Sequence, residues 1–205
     1  EFAYCLTASG YGLLCDAYGY DDVRVSAVRF DLPFLPAELA DLAGFLILGD
    51  PVSRQRLQTI VPDASIATML DLGLVEHSGD ELTMAKYQLS MFFGIPVFVE
   101  RPSIRRQAYF GSDSLALGRL ISAAKGDALD LCCGVGAQTA LLAKTANRVV
   151  SVERNESVRW LFDINMVMNG ISARTEFLAG DLWDPVRGMR FDLLVCNPPL
   201  LPVPE

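Results

Sequence analysis

From about residue 126 onward, apolar and polar positions fall into short, regular blocks. "ALDLCC" is an apolar run, a glycine turn follows, "AQTALLAKTA" has helical spacing, and "RVVSVE" is a second apolar run. This order predicts a β-α-β unit. A further helical stretch, "ESVRWLFDINMVMN", sets Val158, Leu161, Phe162 and Asn165 on one side and Trp160, Ile164, Val167 and Met168 on another, and "NG" ends it. "TEFLAGD" and "FDLLVCN" complete the set as two more short strands bounded by Gly, Asp and Pro. Strands alternating with helices predict an α/β fold, a Rossmann-like parallel sheet covered on both faces.

Residues 36–101 carry a different pattern. "PAELADLAGFLIL", "PVSRQRLQTIV" and "SIATMLDLGL" have helical spacing, and "LVEHSGDELTM" is a hairpin with an "SGD" turn. Three short helices and a hairpin predict a winged-helix-like α+β domain. Residues 1–35, rich in Tyr and Gly, suggest a hairpin from "FAYCLT" and "GLLCDAYG". The expected organisation is a hairpin-like segment at 1–35, a recognition or docking domain at 36–101 and a ligand-binding α/β domain at 102–205.

Charge narrows the function of the middle region. Residues 36–100 hold nine acids (38, 41, 50, 63, 71, 76, 80, 81, 100) against three bases (54, 56, 86), within a chain of net charge −8. A DNA-reading helix needs Lys or Arg to neutralise phosphates. Naked nucleic acid is therefore disfavoured as a partner, and a protein or small-molecule substrate is expected. "RPSIRR", with Arg101, Arg105 and Arg106, is read as a solvated linker. The apolar runs are broken by Asp, Gly or Pro short of a membrane span, and the N-terminus lacks a signal-peptide layout, so a cytoplasmic protein is expected. Five cysteines without C-x-x-C spacing and a single histidine, His77, give neither a disulfide framework nor a zinc site.

"LDLCCGVGAQT" is the most informative turn. It places Asp130 at the end of a strand, Gly134 and Gly136 in the turn, and a helix just beyond. Glycines there let a ligand approach the backbone and allow positive φ. A dinucleotide fingerprint would need glycine where Thr139 stands, and Asp130 would repel a pyrophosphate. A phosphate-free nucleoside with a cationic end suits the acids better, and S-adenosylmethionine is such a ligand. Glu153, 17 positions beyond Gly136, is placed to accept both ribose hydroxyls. Asp181 is placed to take the adenine amino group, with Leu182 beside the ring.

"DLCCGVG", "VVSVE", "FLAGD" and "NPPL", in that order, resemble the class I S-adenosylmethionine-dependent methyltransferases, in the "small domain" branch with an asparagine-proline-proline motif. That branch includes the release-factor glutamine and ribosomal-RNA guanine-N2 methyltransferases, and the resemblance covers about residues 109 to 200. It implies transfer to nitrogen, with Asn197 and Pro198 as the catalytic pair. An amide or aryl nitrogen gives its lone pair to a π system, so oxygens of Asn197 and Pro198 would each accept an N–H and turn that lone pair toward the methyl group. Two successive prolines stiffen the loop. "YFGSDSLALGRLI" resembles the family's lid segment, with Ser112 as helix N-cap and Tyr109, Phe110 and Ser112 near the methionine end of the cofactor; the aromatic pair would equally serve to pack the helix on the sheet.

Three departures from the family pattern stand out. Leu200 occupies a position usually held by an aromatic residue, and Cys132 stands where the first glycine of the turn is common. The cysteines at 132, 133 and 196 are read as small hydrophobes rather than nucleophiles. Only "LLPVPE" follows the fourth strand, so a fragment is expected, the other options being completion of the sheet by the first 30 residues or by a second subunit. The competing functions are O- or C-methylation of a natural product and a non-catalytic module that holds a cofactor or docks a partner.

Overall fold

The computed structural model describes residues 2–18, 22–84, 86–101 and 107–199. The chain divides into two compact units. One comprises 1–94 with 99–104, the other 95–98 with 105–205.

The first unit begins with helices, which corrects the hairpin expected over residues 1–35. Helices α1 (Phe2–Ala8), α2 (Tyr11–Tyr18) and α3 (Asp22–Asp31) are followed by a 3-10 turn at Leu32–Phe34. Gly10, at φ +79°, is the reason for the misreading: it punctuates two helices, not two strands, and its N–H caps Thr7 O at 3.2 Å. Tyr11 is fully buried, and its hydroxyl donates to Leu89 O at 2.6 Å.

Helix α4 (Ala37–Leu42) runs into a π-helical turn, Ala43–Leu48, in which Ala43 to Ile47 are all buried. Gly49 at φ +73° ends it in the left-handed conformation that glycine adopts without strain. Next come β1 (Val52–Ser53), α5 (Arg54–Leu57) and α6 (Asp63–Asp71). The "SGD" hairpin is present as β2 (Glu76–Ser78) and β3 (Glu81–Thr83), with Ser78 opposite Glu81 across a two-residue turn whose Gly79 has φ +63°. β1 pairs antiparallel to β3 on its other edge, in the order β1-β3-β2.

Arg101 is not the solvated linker residue expected from "RPSIRR". Its Nε donates to Met84 O at 2.9 Å and its Nη1 to Ile47 O, and burial lowers its pKa from the ordinary guanidinium value. Arg105 and Arg106 lie outside the described residues.

Strands β4 (Tyr87–Phe92) and β5 (Ile95–Glu100) form a two-stranded sheet, and the boundary between the units falls within β5. The second unit continues with α7 (Ser112–Leu120), β6 (Asp127–Leu131), α8 (Ala137–Leu142), β7 (Arg148–Glu153), α9 (Arg159–Met168), β8 (Thr175–Ala179) and β9 (Leu193–Cys196). The four strands β6 to β9 make a parallel sheet in the order β8-β7-β6-β9. This is the α/β sheet that the apolar blocks predicted.

Alternation along the strands sorts their side chains. Leu129, Leu131, Val150 and Val152 join Val186 in one apolar cluster. Their neighbours in sequence, Asp130 and Ser151, are paired in register between β6 and β7, so they share the opposite face.

Asn165 is the polar member of an otherwise apolar helix face, and it is fully buried. Its Oδ1 accepts Phe98 N–H at 2.8 Å, while its Nδ2 donates to Phe98 O at 3.0 Å and Val135 O at 2.9 Å. The carboxamide thus pairs with β5 backbone as another strand would, which is why a polar residue belongs there.

Candidate functional site

The order of the parallel sheet reverses direction around β6, since the chain moves outward through β7 and β8 and then returns to β9 on the other edge. Ligands of open α/β sheets sit beyond the carboxyl ends of strands at such a point. The residues singled out from sequence meet there: Asp130 on β6, Glu153 as the last residue of β7, Asp181 two residues beyond the last of β8, and Asn197 directly after β9.

Geometry separates the three acids. Glu153 is half-buried, with Oε2 accepting Gly134 N–H at 3.0 Å and Oε1 accepting Asn155 N–H at 2.9 Å. Each carboxylate oxygen retains a lone pair, so this side chain is both fixed and able to accept two hydroxyls. Asp181 is exposed, and Leu182 beside it is held at φ +45°, a strained conformation for a leucine.

Asp130 takes a different position from the one expected. It is 1% exposed, and its Oδ2 accepts the Thr139 hydroxyl at 2.6 Å, which lies 2.8 Å from Ser151 Oγ. Burial raises its pKa to about 7, with Glu153 adding to the rise and the Thr139 hydrogen bonds opposing it. Asp130 therefore braces strand β6 against helix α8 beneath the site. Thr139, which in sequence only argued against a dinucleotide, is the residue that makes this brace.

The two turn glycines do different work. Gly136 has φ +84°, and a Cβ there would stand 2.6 Å from Phe162 Cδ2 and 2.8 Å from Met166 Cε. Gly134 has φ +51°, and a Cβ there would meet only Ala108 Cβ at 3.7 Å. Gly136 serves close packing of α9, whereas a side chain at Gly134 would meet only an ordinary van der Waals contact, and its N–H is given to Glu153. Cys132, in the place of a common glycine, also has positive φ, +59°. Burial pushes its thiol up to about 12, raises Cys133 well above the ordinary range and raises Cys196, so all three are protonated at neutral pH and poor nucleophiles.

The segment before α7 departs from expectation at Ser112. The N-cap of α7 is Gly111, without a side-chain cap, and Ser112 is exposed as the first helical residue. A short loop-to-helix junction is satisfied one residue on, where Asp113 Oδ1 accepts Ser114 N–H at 2.7 Å. Tyr109 is half exposed and its ring lies over Gly111, where a Cβ would come within 2.2 Å of the hydroxyl. Gln107 anchors the segment, its backbone carbonyl accepting Asn155 Nδ2 at 3.0 Å and its Oε1 accepting Ser157 Oγ at 3.1 Å. Neither Gln107 nor Asn155 was singled out in sequence, although Asn155 follows Glu153 by two.

Asn197 is half-buried, with its N–H directed at Leu131 O at 3.4 Å and its Nδ2 donating to Ser114 Oγ at 3.2 Å. Pro198 is exposed, and Leu200 lies outside the described residues. The group implied by sequence fits this donor set: Glu153 offers two free lone pairs, Gly134 leaves room, and the carboxylates suit a cation rather than a phosphate. Among the described residues no cluster of three or more His, Cys, Asp or Glu could hold a metal ion.

The model of the methyltransferase small domain matches residues 107–202, which contain every one of these site residues. Over this span, a little under half of the chain, the sequence is similar to that domain. The release factor glutamine methyltransferase of Geobacter sulfurreducens is 31% identical over 195 residues, covering 94% of this chain and 57% of that protein. The chain thus spans little more than half the length of this curated relative. Among solved structures, a SAM-dependent methyltransferase from Agrobacterium tumefaciens is similar with 16% identity and a TM-score of 0.44, over 60% of this chain and 41% of that one. Trm5 of Methanocaldococcus jannaschii in complex with adenosine has 15% identity and a TM-score of 0.45, over 56% of this chain and 35% of that one.

Proposed function

We propose that the chain is the core of an S-adenosylmethionine-dependent methyltransferase that methylates a nitrogen, with the side-chain amide of a protein glutamine as acceptor. The observation that carries this reading is the pairing of two strand tips: Glu153, locked by two backbone N–H groups beside an open glycine, and Asn197 across the switch point beyond β9. When bound, S-adenosylmethionine supplies an electrophilic methyl group on a sulfonium.

The chain's own residues do the rest. Glu153 accepts ribose hydroxyls, Asp181 and Leu182 flank the base, and Tyr109 and Ser112 border the methionine end. Asn197 Oδ1 and Pro198 O accept the N–H groups of the incoming nitrogen, which holds its lone pair in line with the methyl group. The proton leaves after the nitrogen has become cationic, so no strong base is required. A protein acceptor is supported by the relative's glutamine methyltransferase activity and by the acidic first unit, whose charge disfavours nucleic acid. We assign substrate docking to that winged-helix-like unit.

The test is transfer of labelled methyl from S-adenosylmethionine to a bacterial release factor purified in unmethylated form. Label on a glutamine side chain, lost with Asn197→Ala, supports the reading. Label on an oxygen or carbon atom, or undiminished transfer by Asn197→Ala, contradicts it.

A further inference from the structure

Within the reading of Asn197 given above, we infer that Ser114 is the positioning residue that holds the Asn197 carboxamide against rotation, so that its accepting oxygen keeps its aim at the incoming group.

A carboxamide has a donating end and an accepting end of nearly equal size, and rotation by half a turn exchanges them. At Asn197 the donating end is tied down, since Nδ2 donates to Ser114 Oγ at 3.2 Å. Oδ1 is then the end left for a ligand.

Ser114 is built for this task by its own surroundings. It is 2% exposed on α7, so water does not compete for its hydroxyl. Its N–H donates to Asp113 Oδ1 at 2.7 Å, and its carbonyl faces Gln138 Nε2 at 3.4 Å, on the helix that follows the glycine turn. Asn197 is held from its other side, where its backbone N–H is 3.4 Å from Leu131 O on β6. The serine is thus held on one element and the carboxamide on another, 83 residues apart in sequence. A small apolar residue at 114 would keep the packing and release the amide.

The experiment compares Ser114→Ala, Ser114→Thr and Asn197→Ala, each in the full chain. Hydrogen exchange at the Asn197 side-chain amide, read by nitrogen-15 NMR, is expected to quicken about five- to tenfold in Ser114→Ala, the loss of one hydrogen bond, and to stay near wild type in Ser114→Thr. With the unmethylated release factor as acceptor, Ser114→Ala is expected to lower kcat about tenfold or more, leave S-adenosylhomocysteine affinity and KM within about twofold, and be rescued by threonine. Unchanged exchange at Asn197 in Ser114→Ala, or unchanged kcat in it while Asn197→Ala is inactive, overturns the role of Ser114 alone. Full activity in Asn197→Ala overturns the acceptor role of Asn197 and this proposal with it.

Discussion

Single residues at this site are tuned by burial more than by contact with a ligand. Asp130 has a folded pKa near 7 against an ordinary 3.8, because burial penalises its charge. A carboxyl whose pKa is raised on folding binds its proton more tightly in the native state. Its contribution to stability is full below about pH 3.8 and is lost as pH rises through about 7, a difference on the order of 4 kcal/mol at about 1.4 per unit. Asp130→Asn should remove that slope. Urea unfolding between pH 4.5 and 8 is expected to show wild type losing stability relative to Asp130→Asn as the pH rises; parallel profiles would contradict the assignment. The two glycines give a second contrast. Gly136→Ala combines positive φ with a clash against Phe162, which is 1% exposed, and should cost about 2–3 kcal/mol in unfolding. Gly134→Ala meets only Ala108 Cβ at an ordinary 3.7 Å, so its positive φ should cost only about 1 kcal/mol while the added methyl weakens S-adenosylhomocysteine binding, a divergence that calorimetry and denaturation together would measure.

At the scale of elements, the parts that could be read from sequence were those with strong periodicity. β6 to β9 and helix α9 follow their apolar blocks because β6 and β7 are apolar and buried along nearly their whole length, β8 and β9 are short apolar runs, and the helix has one sharp apolar face. Helices α1 and α2 were not legible: at seven and eight residues they are too short to display a stripe, and the glycines at 10 and 12 imitate turn chemistry. The acids and glycines of the candidate site were picked out from their positions at strand ends. Ser114 and Thr139 were not, because what defines them is a partner distant in sequence, Asn197 for one and Asp130 with Ser151 for the other. Asn165 lay in plain view on the apolar face of α9, and only its three bonds to Phe98 and Val135 explain it. Asn165→Leu keeps the volume but leaves buried backbone groups unpaired. It should destabilise by about 3 kcal/mol, measured by denaturant unfolding, and a neutral effect would contradict the strand-mimicking role.

The molecule divides into two compact units; on the proposed reading one binds the methyl donor and aims the acceptor, and the acidic other selects the substrate. The charge of −8 fits a protein acceptor better than a phosphate backbone. Everything in the account passes through a single side chain, the carboxylate that closes β7. Titration calorimetry with S-adenosylhomocysteine, on wild type and Glu153→Ala, tests it most directly. Wild type should bind one equivalent, and Glu153→Ala should bind at least about tenfold more weakly, having lost charge-assisted bonds to two hydroxyls. Equal affinity in the two proteins, or no binding to wild type at millimolar ligand, would contradict the account.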